Sequence, residues 1–344
     1  VAHASGTSSG TNSLGLFGTG VAAANVALGS TTQMISGIRN ASRVGFKGAE
    51  NLGGGLKASF VVETGIDASG NLGQAAPAAT AANGGLGLFG NRVSTLGLEG
   101  SLGALSVGRM AVGADFAAFD AAGDVAPGSI SFLMYDQSLS RANNTIQYVT
   151  PDIGGFTGTY QVSMSENQDK VNSTVSGTQT ALELAYSNGP LLVKLGQTIY
   201  RDISIVAAER GTRFTLNNLG AAYDFGVARL SGQYVTQRSS SALNAAATTD
   251  ANTWQVGVKV PMGAHAFSAN YVKTDDKRAA NADANSWYLG YDYAMSKRTT
   301  AYLGAVKVSN KNGASFAALA ANTTTGINNT GRTDAIFTGM NHSF

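Results

Sequence analysis

The side chains able to do chemistry are few and widely scattered. Three histidines occur in 344 residues, His3, His265 and His342, and there is no cysteine. None of the three stands in a metal-binding spacing, and no Ser-His-Asp constellation is evident around them. Residues 15–20 (GLFGTG) have the glycines of a phosphate loop without a strand–loop–helix setting. What remains is fixed charge. The segment 115–143 carries Asp115, Asp120, Asp124 and Asp136, with Gly123, Pro127 and Gly128 to bend it. A connection of that length is long for an ordinary link and points to a functional loop. Fixed charges act on ions and dipoles through a field rather than by making bonds. The reading therefore contains no enzyme, no metal and no cofactor.

The elements that must carry these charges repeat every two residues. Trp287, Leu289, Tyr291 and Tyr293 share one parity, against Tyr288, Gly290 and Asp292. Trp254, Val256, Val258 and Val260 alternate with Gln255, Gly257 and Lys259, and Phe156, Tyr160, Val162 and Met164 with Thr157, Thr159, Gln161 and Ser163. Such alternation makes a strand with two unlike faces. Tight turns rich in Gly, Asn and Asp fall at 51–55, 101–103, 152–155, 188–190, 224–226, 261–263 and 295–297. Between them lie longer polar stretches at 69–85, 115–143, 167–179, 204–213, 239–252, 275–284 and 310–332. This short–long rhythm predicts an all-β, antiparallel transmembrane barrel of about sixteen strands, wide enough for an aqueous channel. Its apolar parity faces lipid and its polar parity lines the lumen. The chain reads as one domain, 1–344.

Composition agrees. Charged residues are 13% of the chain and glycines number 44, while mean hydropathy is +0.00, so apolar side chains are spread thinly. No apolar run approaches the roughly 18 residues of a membrane helix. A net charge of +2 is too small to recruit nucleic acid. No leader precedes Val1, so an exported chain is expected to have lost it.

Several motifs resemble the Gram-negative general-diffusion porin family, of the neisserial and betaproteobacterial type. Residues 41–58 (ASRVGFKGAENLGGGLKA) are similar to that family's second strand, first turn and third strand; 107–109 (VGR) to the end of its fifth; 143–148 (NNTIQY) to its sixth; 296–302 (SKRTTAY) to its last periplasmic turn; and 339–344 (GMNHSF) to its closing strand. Residues 1–12 carry no match and read as an N-terminal extension. The resemblance implies a trimeric outer-membrane channel for passive diffusion of small ions and polar solutes. It also implies contact with outer-membrane lipid and lipopolysaccharide. A substrate-specific channel, and a non-conducting barrel whose loops bind a surface partner, are the alternatives.

By the same resemblance, loop 115–143 folds into the lumen and constricts it, with its four aspartates facing a basic wall. Arg43, Lys47, Arg109 and Arg141 are the matching wall residues. Arg43 and Lys47 fall on the lumen parity with Lys57, Glu63, Glu183, Lys194, Arg229 and Lys259. Arg109 falls with Leu105 and Val107 on the lipid parity, where an arginine costs roughly 2–4 kcal/mol at mid-membrane. A bulge at Gly108 is therefore expected to turn it inward. Arg39 and Arg92 lie near strand ends and suit the pore wall or the rim equally. Ile336, Thr338, Met340, His342 and Phe344 share a parity, which places terminal Phe344 in the interfacial girdle; by resemblance it is also the signal read by the barrel assembly machinery. Small outward residues at Leu14, Leu16, Gly18, Gly20 and Ala58 suit close packing of barrels into a trimer. Strand-borne arginines against a loop that can turn its acids away predict a weak anion preference.

Overall fold

The computed structural model describes residues 1–7, 31–66, 89–113, 115–123, 126–134, 141–164, 177–201, 213–240, 249–314, 316–318 and 331–344. It contains seventeen strands in one sheet. They are β1 (Ala2–Thr7), β2 (Thr31–Gln33), β3 (Arg43–Gly53), β4 (Leu56–Gly65), β5 (Val93–Gly100) and β6 (Gly103–Ala111). Then follow β7 (Arg141–Val149), β8 (Phe156–Ser163), β9 (Thr178–Asn188), β10 (Leu191–Arg201), β11 (Arg213–Asp224) and β12 (Arg229–Ser240). The last are β13 (Asp250–Met262), β14 (His265–Asp276), β15 (Ala284–Ala294), β16 (Thr299–Asn310) and β17 (Arg332–His342).

From β3 to β17 each strand pairs antiparallel with the next in sequence. β1 lies against β17 and carries β2 on its other side, so the ladder runs from β2 through β1 and β17 back to β3. Ala2–Thr7, expected in an extension, thus adds a strand to β17. The outward stretch 14–20 lies outside the described residues. All seven expected tight turns join sequential strands. The long stretches sit at the opposite strand ends, as a barrel with one turn rim and one loop rim requires.

The fold is inside out relative to a water-soluble domain. On the strands, Leu195, Leu289 and Ile336 are 53%, 63% and 60% exposed, while Gln255, Thr274 and Ser286 are 1% or less. A sheet showing that much leucine to water would aggregate; facing hydrocarbon, it is stabilised. Rings mark the band: Trp254 and Tyr271 lie 5.2 Å apart, Tyr271 and Trp287 4.4 Å. With no water in the bilayer core, backbone groups must pair within the sheet, and the unbroken β3–β17 ladder does this.

The two faces differ in what they tolerate. Leu195→Arg, in the middle of the outward band, should lower stability by roughly 2–4 kcal/mol. Thr159→Arg, on the inward parity of β8, should cost far less. Equilibrium unfolding from phosphatidylcholine vesicles reads both, and equal losses would contradict the assignment of the faces.

Candidate pore constriction

The loop after β6, at residues 115–123 and 126–134, folds against the inward side of the wall from β11 to β15. Two single 3-10 turns, Phe116–Phe119 and Ile130–Leu133, touch β11–β12 and β13–β15 respectively. The wall binds the loop's main chain. Arg229 Nη2 donates to Ala118 O at 2.6 Å and Ser231 Oγ to Phe119 O at 2.6 Å. Gln255 Nε2 donates to the same Phe119 carbonyl at 2.9 Å, Asn270 Nδ2 to Gly128 O at 2.9 Å and Thr274 Oγ1 to Leu133 O at 2.5 Å. A loop without regular structure leaves its carbonyls unpaired, and burial would make each costly. Polar inward side chains satisfy them, so the loop lies flat against the wall. Gly220 of β11 makes room: a Cβ there would come within 2.3 Å of the Phe119 ring, itself fully buried.

Asp120 is the loop's internal tie. Its carboxylate accepts the amides of Ala122 at 2.9 Å and Ile130 at 3.1 Å, and Asn270 Nδ2 at 3.2 Å. The negative charge is held by backbone amides eight residues apart in sequence, which closes the loop on itself. Asp115 is exposed and accepts Lys194 Nζ at 3.0 Å; the same ammonium donates to Glu183 at 3.0 Å. Asp124 and Asp136 lie outside the described residues.

The wall cations sit elsewhere on the sheet. Arg43 opens β3, its Nε 3.5 Å from Glu63 of β4, and Arg92 Nε donates to the other Glu63 oxygen at 2.8 Å. Lys47, further along β3, is exposed and stands across from Val61. Arg141 opens β7 opposite Ala111. Arg109 Nε donates to Asn91 O and its Nη1 to Asn143 Oδ1, both at 2.6 Å. The pairing of β6 with β7 shifts between Gly108 and Met110, where the irregularity was expected. The extra residue belongs to β7 rather than β6: two residues, Asn143 and Asn144, stand against Arg109, and Asn144 takes the left-handed φ of 48°. β6 therefore keeps its alternation, and Arg109, opposite Ser94, stays on the parity of Leu105 and Val107 instead of being turned inward. Gly108 itself has a φ of 130°, which a side chain would strain.

Of the two places open to Arg39, wall and rim, the structure excludes the rim. It is 8% exposed, inside the barrel. Residues 36–40 dip inward ahead of β3, and Ile38 joins the buried cluster with Ala122, Ala126 and Ile130 of the loop. Arg39 Nη1 pairs with Asp292 of β15, its guanidinium lies 5.3 Å over the Tyr302 ring, and Lys259 Nζ is 3.7 Å from the other Asp292 oxygen. The alternation put Asp292 and Lys259 on the inward parity; nothing in it showed that residues before β3 would reach them.

A family model described as Gram-negative porin matches residues 1–313. The chain belongs to the Gram-negative porin family. It is 30% identical over 328 residues to outer membrane porin protein 32 of Delftia acidovorans, covering 90% of this chain and 88% of the relative. It is 28% identical to major outer membrane protein P.IB of Neisseria meningitidis serogroup B, over 77% and 75% of the two chains. Among solved structures it resembles the anion-selective porin from Comamonas acidovorans, with a TM-score of 0.75, 28% identity and coverage of 90% and 91%. The porin resides in the bacterial outer membrane and passes small polar solutes by passive diffusion. Its working parts are the width left by the inward loop and the field across that width.

Arg39 helps hold that width. Removing one partner of a buried pair costs about 3–5 kcal/mol, and Lys259 offsets part of it. Arg39→Gln and Asp292→Asn should each raise single-channel conductance and open-channel noise as the loop loosens. Gly220→Val, by displacing Phe119, should act in the same direction. Conductance and noise unchanged in all three would show that these contacts do not position the loop.

Proposed function

We propose that the porin conducts with a weak preference for anions through a constriction between Arg43 and Lys47 on the inward parity of β3, with Arg109 and Arg141 at the loop-side ends of β6 and β7, and the loop held on the opposite wall. One observation carries this reading. The two described loop acids are already occupied, Asp120 by two backbone amides and Asn270, and Asp115 by Lys194. Arg43 keeps 48% of its side chain exposed while sharing Glu63 with Arg92, and Lys47 is exposed. A permeating ion therefore meets more available positive than negative charge. The name of the similar Comamonas acidovorans structure, an anion-selective porin, agrees with this. The functional unit is a homotrimer with one pore per chain; a structurally similar Vibrio cholerae protein is described in a trimer form. The lipid around it includes lipopolysaccharide.

The preference resides in strand-borne charges and weakens with salt, because the screening length is about 8 Å at physiological strength. Arg43→Gln or Arg109→Gln should shift the reversal potential toward cations, lowering the anion-to-cation permeability ratio about twofold, or roughly 0.4 kcal/mol of barrier. A reversal potential untouched by both substitutions, or a wild-type channel that prefers cations, would overturn the assignment.

Phe344 serves assembly in this proposal. It follows β17 at the turn rim, fully exposed, with its ring 4.6 Å from that of His342. Deleting it should sharply reduce barrel levels in the outer membrane by removing both a girdle anchor and the signal read by the assembly machinery. Normal levels after the deletion would exclude that role.

A further inference from the structure

On the turn side of the constricting loop, the inward face of β10–β13 carries a cavity of about 450 Å³. Its lining includes Pro190, Asp224, Gly226, Arg229, Lys259 and Pro261. Arg229 and Lys259 stand one inward position nearer the turns than Ser231 and Gly257, and those two lie directly under loop residues Phe119 and Ala121. The cavity therefore faces the turn rim, on the loop's own wall and away from Arg43 and Lys47 on β3. Its size is that of a small-solute site.

Register makes Asp224 and Arg229 direct cross-strand neighbours, and Arg229 and Lys259 likewise. An acid and a base so placed ordinarily attract each other. Here each is drawn away from the other. Arg229 Nη2 donates to the neutral Ala118 carbonyl at 2.6 Å, on the loop side. One Asp224 oxygen accepts the Gly226 amide at 2.8 Å, on the turn side. Lys259 keeps 45% of its side chain exposed, with Nζ 3.7 Å from an Asp292 carboxylate that Arg39 also takes. Arg229 and Lys259 are like charges side by side, which destabilises a sheet, and an anion held by both relieves it. The Asp224 amide donates to Pro190 O at 3.0 Å, which holds Pro190 beside the acid. Pro190 and Pro261 add rigid apolar surface with no backbone donor.

We propose that this cavity is a binding site for extended zwitterionic solutes of dipeptide size. Arg229 and Lys259 take the carboxylate, the guanidinium through N–H groups other than the one on Ala118. Asp224 takes the ammonium through the oxygen that Gly226 does not use. Cα atoms facing each other across a ladder are about 5 Å apart, and the two charged groups diverge from there. An extended dipeptide spans about 7 Å, a single amino acid about half of that. The site shares no residue with the charges assigned to selectivity, so either assignment can fail without the other.

Saturation-transfer NMR on the intact porin in mild detergent tests this with three probes. They are alanyl-alanine, N-acetyl-alanyl-alanine, which lacks the ammonium, and alanyl-alaninamide, which lacks the carboxylate. Alanyl-alanine should bind saturably and about tenfold more tightly than either analogue. Asp224→Asn keeps an acceptor for the Gly226 amide and should erase the advantage over N-acetyl-alanyl-alanine. Arg229→Gln/Lys259→Gln should erase the advantage over alanyl-alaninamide. The control Lys57→Gln, an inward cation of β4 that pairs with Glu99, should bind as wild type. Far-UV circular dichroism of each variant should be that of the folded barrel, which separates lost binding from lost fold. Equal binding of the three probes by the wild type would overturn the proposal. So would an undiminished preference in Asp224→Asn or in the Arg229→Gln/Lys259→Gln variant, or its loss in Lys57→Gln.

Discussion

In hydrocarbon a peptide group has no water to fall back on. An unpaired N–H or C=O there costs several kcal/mol, so strands can cross a bilayer only with neighbours on both sides. The remaining architecture of this porin follows from that requirement. A paired strand has two faces, and one must meet lipid. The other is free to be polar because water fills what the sheet encloses. Alternation is therefore the mechanism by which a chain of zero mean hydropathy can hold an aqueous path through a membrane.

The same requirement explains how the path is narrowed. The loop after β6 brings a length of irregular main chain into the barrel, and its carbonyls need donors. Arg229, Ser231, Gln255, Asn270 and Thr274 supply them from one side of the wall. Asp120 gathers the loop's own amides and in doing so loses its freedom to act on a passing ion. In the function proposed here constriction and selectivity are coupled: an acid used to fold the loop is withdrawn from the field, and the balance moves toward the basic residues opposite. Arg39 belongs to the same scheme, a cation spent on joining the segment before β3 to Asp292.

Much of the barrel was legible from the residues. Period-two alternation and Gly/Asn/Asp turns are local properties, so the seven tight turns and the inward parity of Lys57, Glu63, Lys194, Arg229 and Lys259 could be read directly. Features that depend on contacts distant in sequence could not. Arg39 precedes its strand and meets Asp292 only because residues 36–40 turn inward. The irregularity beside Arg109 was expected from the cost of an arginine in lipid, yet the extra residue fell on β7, where Asn144 accepts a left-handed backbone more readily than most residues. An inward glycine such as Gly220 looks like any other glycine until Phe119 is seen above it. Ala2–Thr7 has no alternation strong enough to mark it as a strand, and it is ordered by pairing with β17.

The chain's lack of cysteine permits a direct measurement of the two-faced strand. Single cysteines at inward Ser59, Thr157 and Thr159 and at outward Phe60, Phe156 and Tyr160 can be exposed to a charged, membrane-impermeant thiol reagent while current through single channels is recorded. Modification at the three inward positions should reduce conductance stepwise, and the three outward positions should leave it unchanged. Current block at Phe60, Phe156 or Tyr160, or no effect at Ser59, Thr157 and Thr159, would contradict the account of which face meets the water.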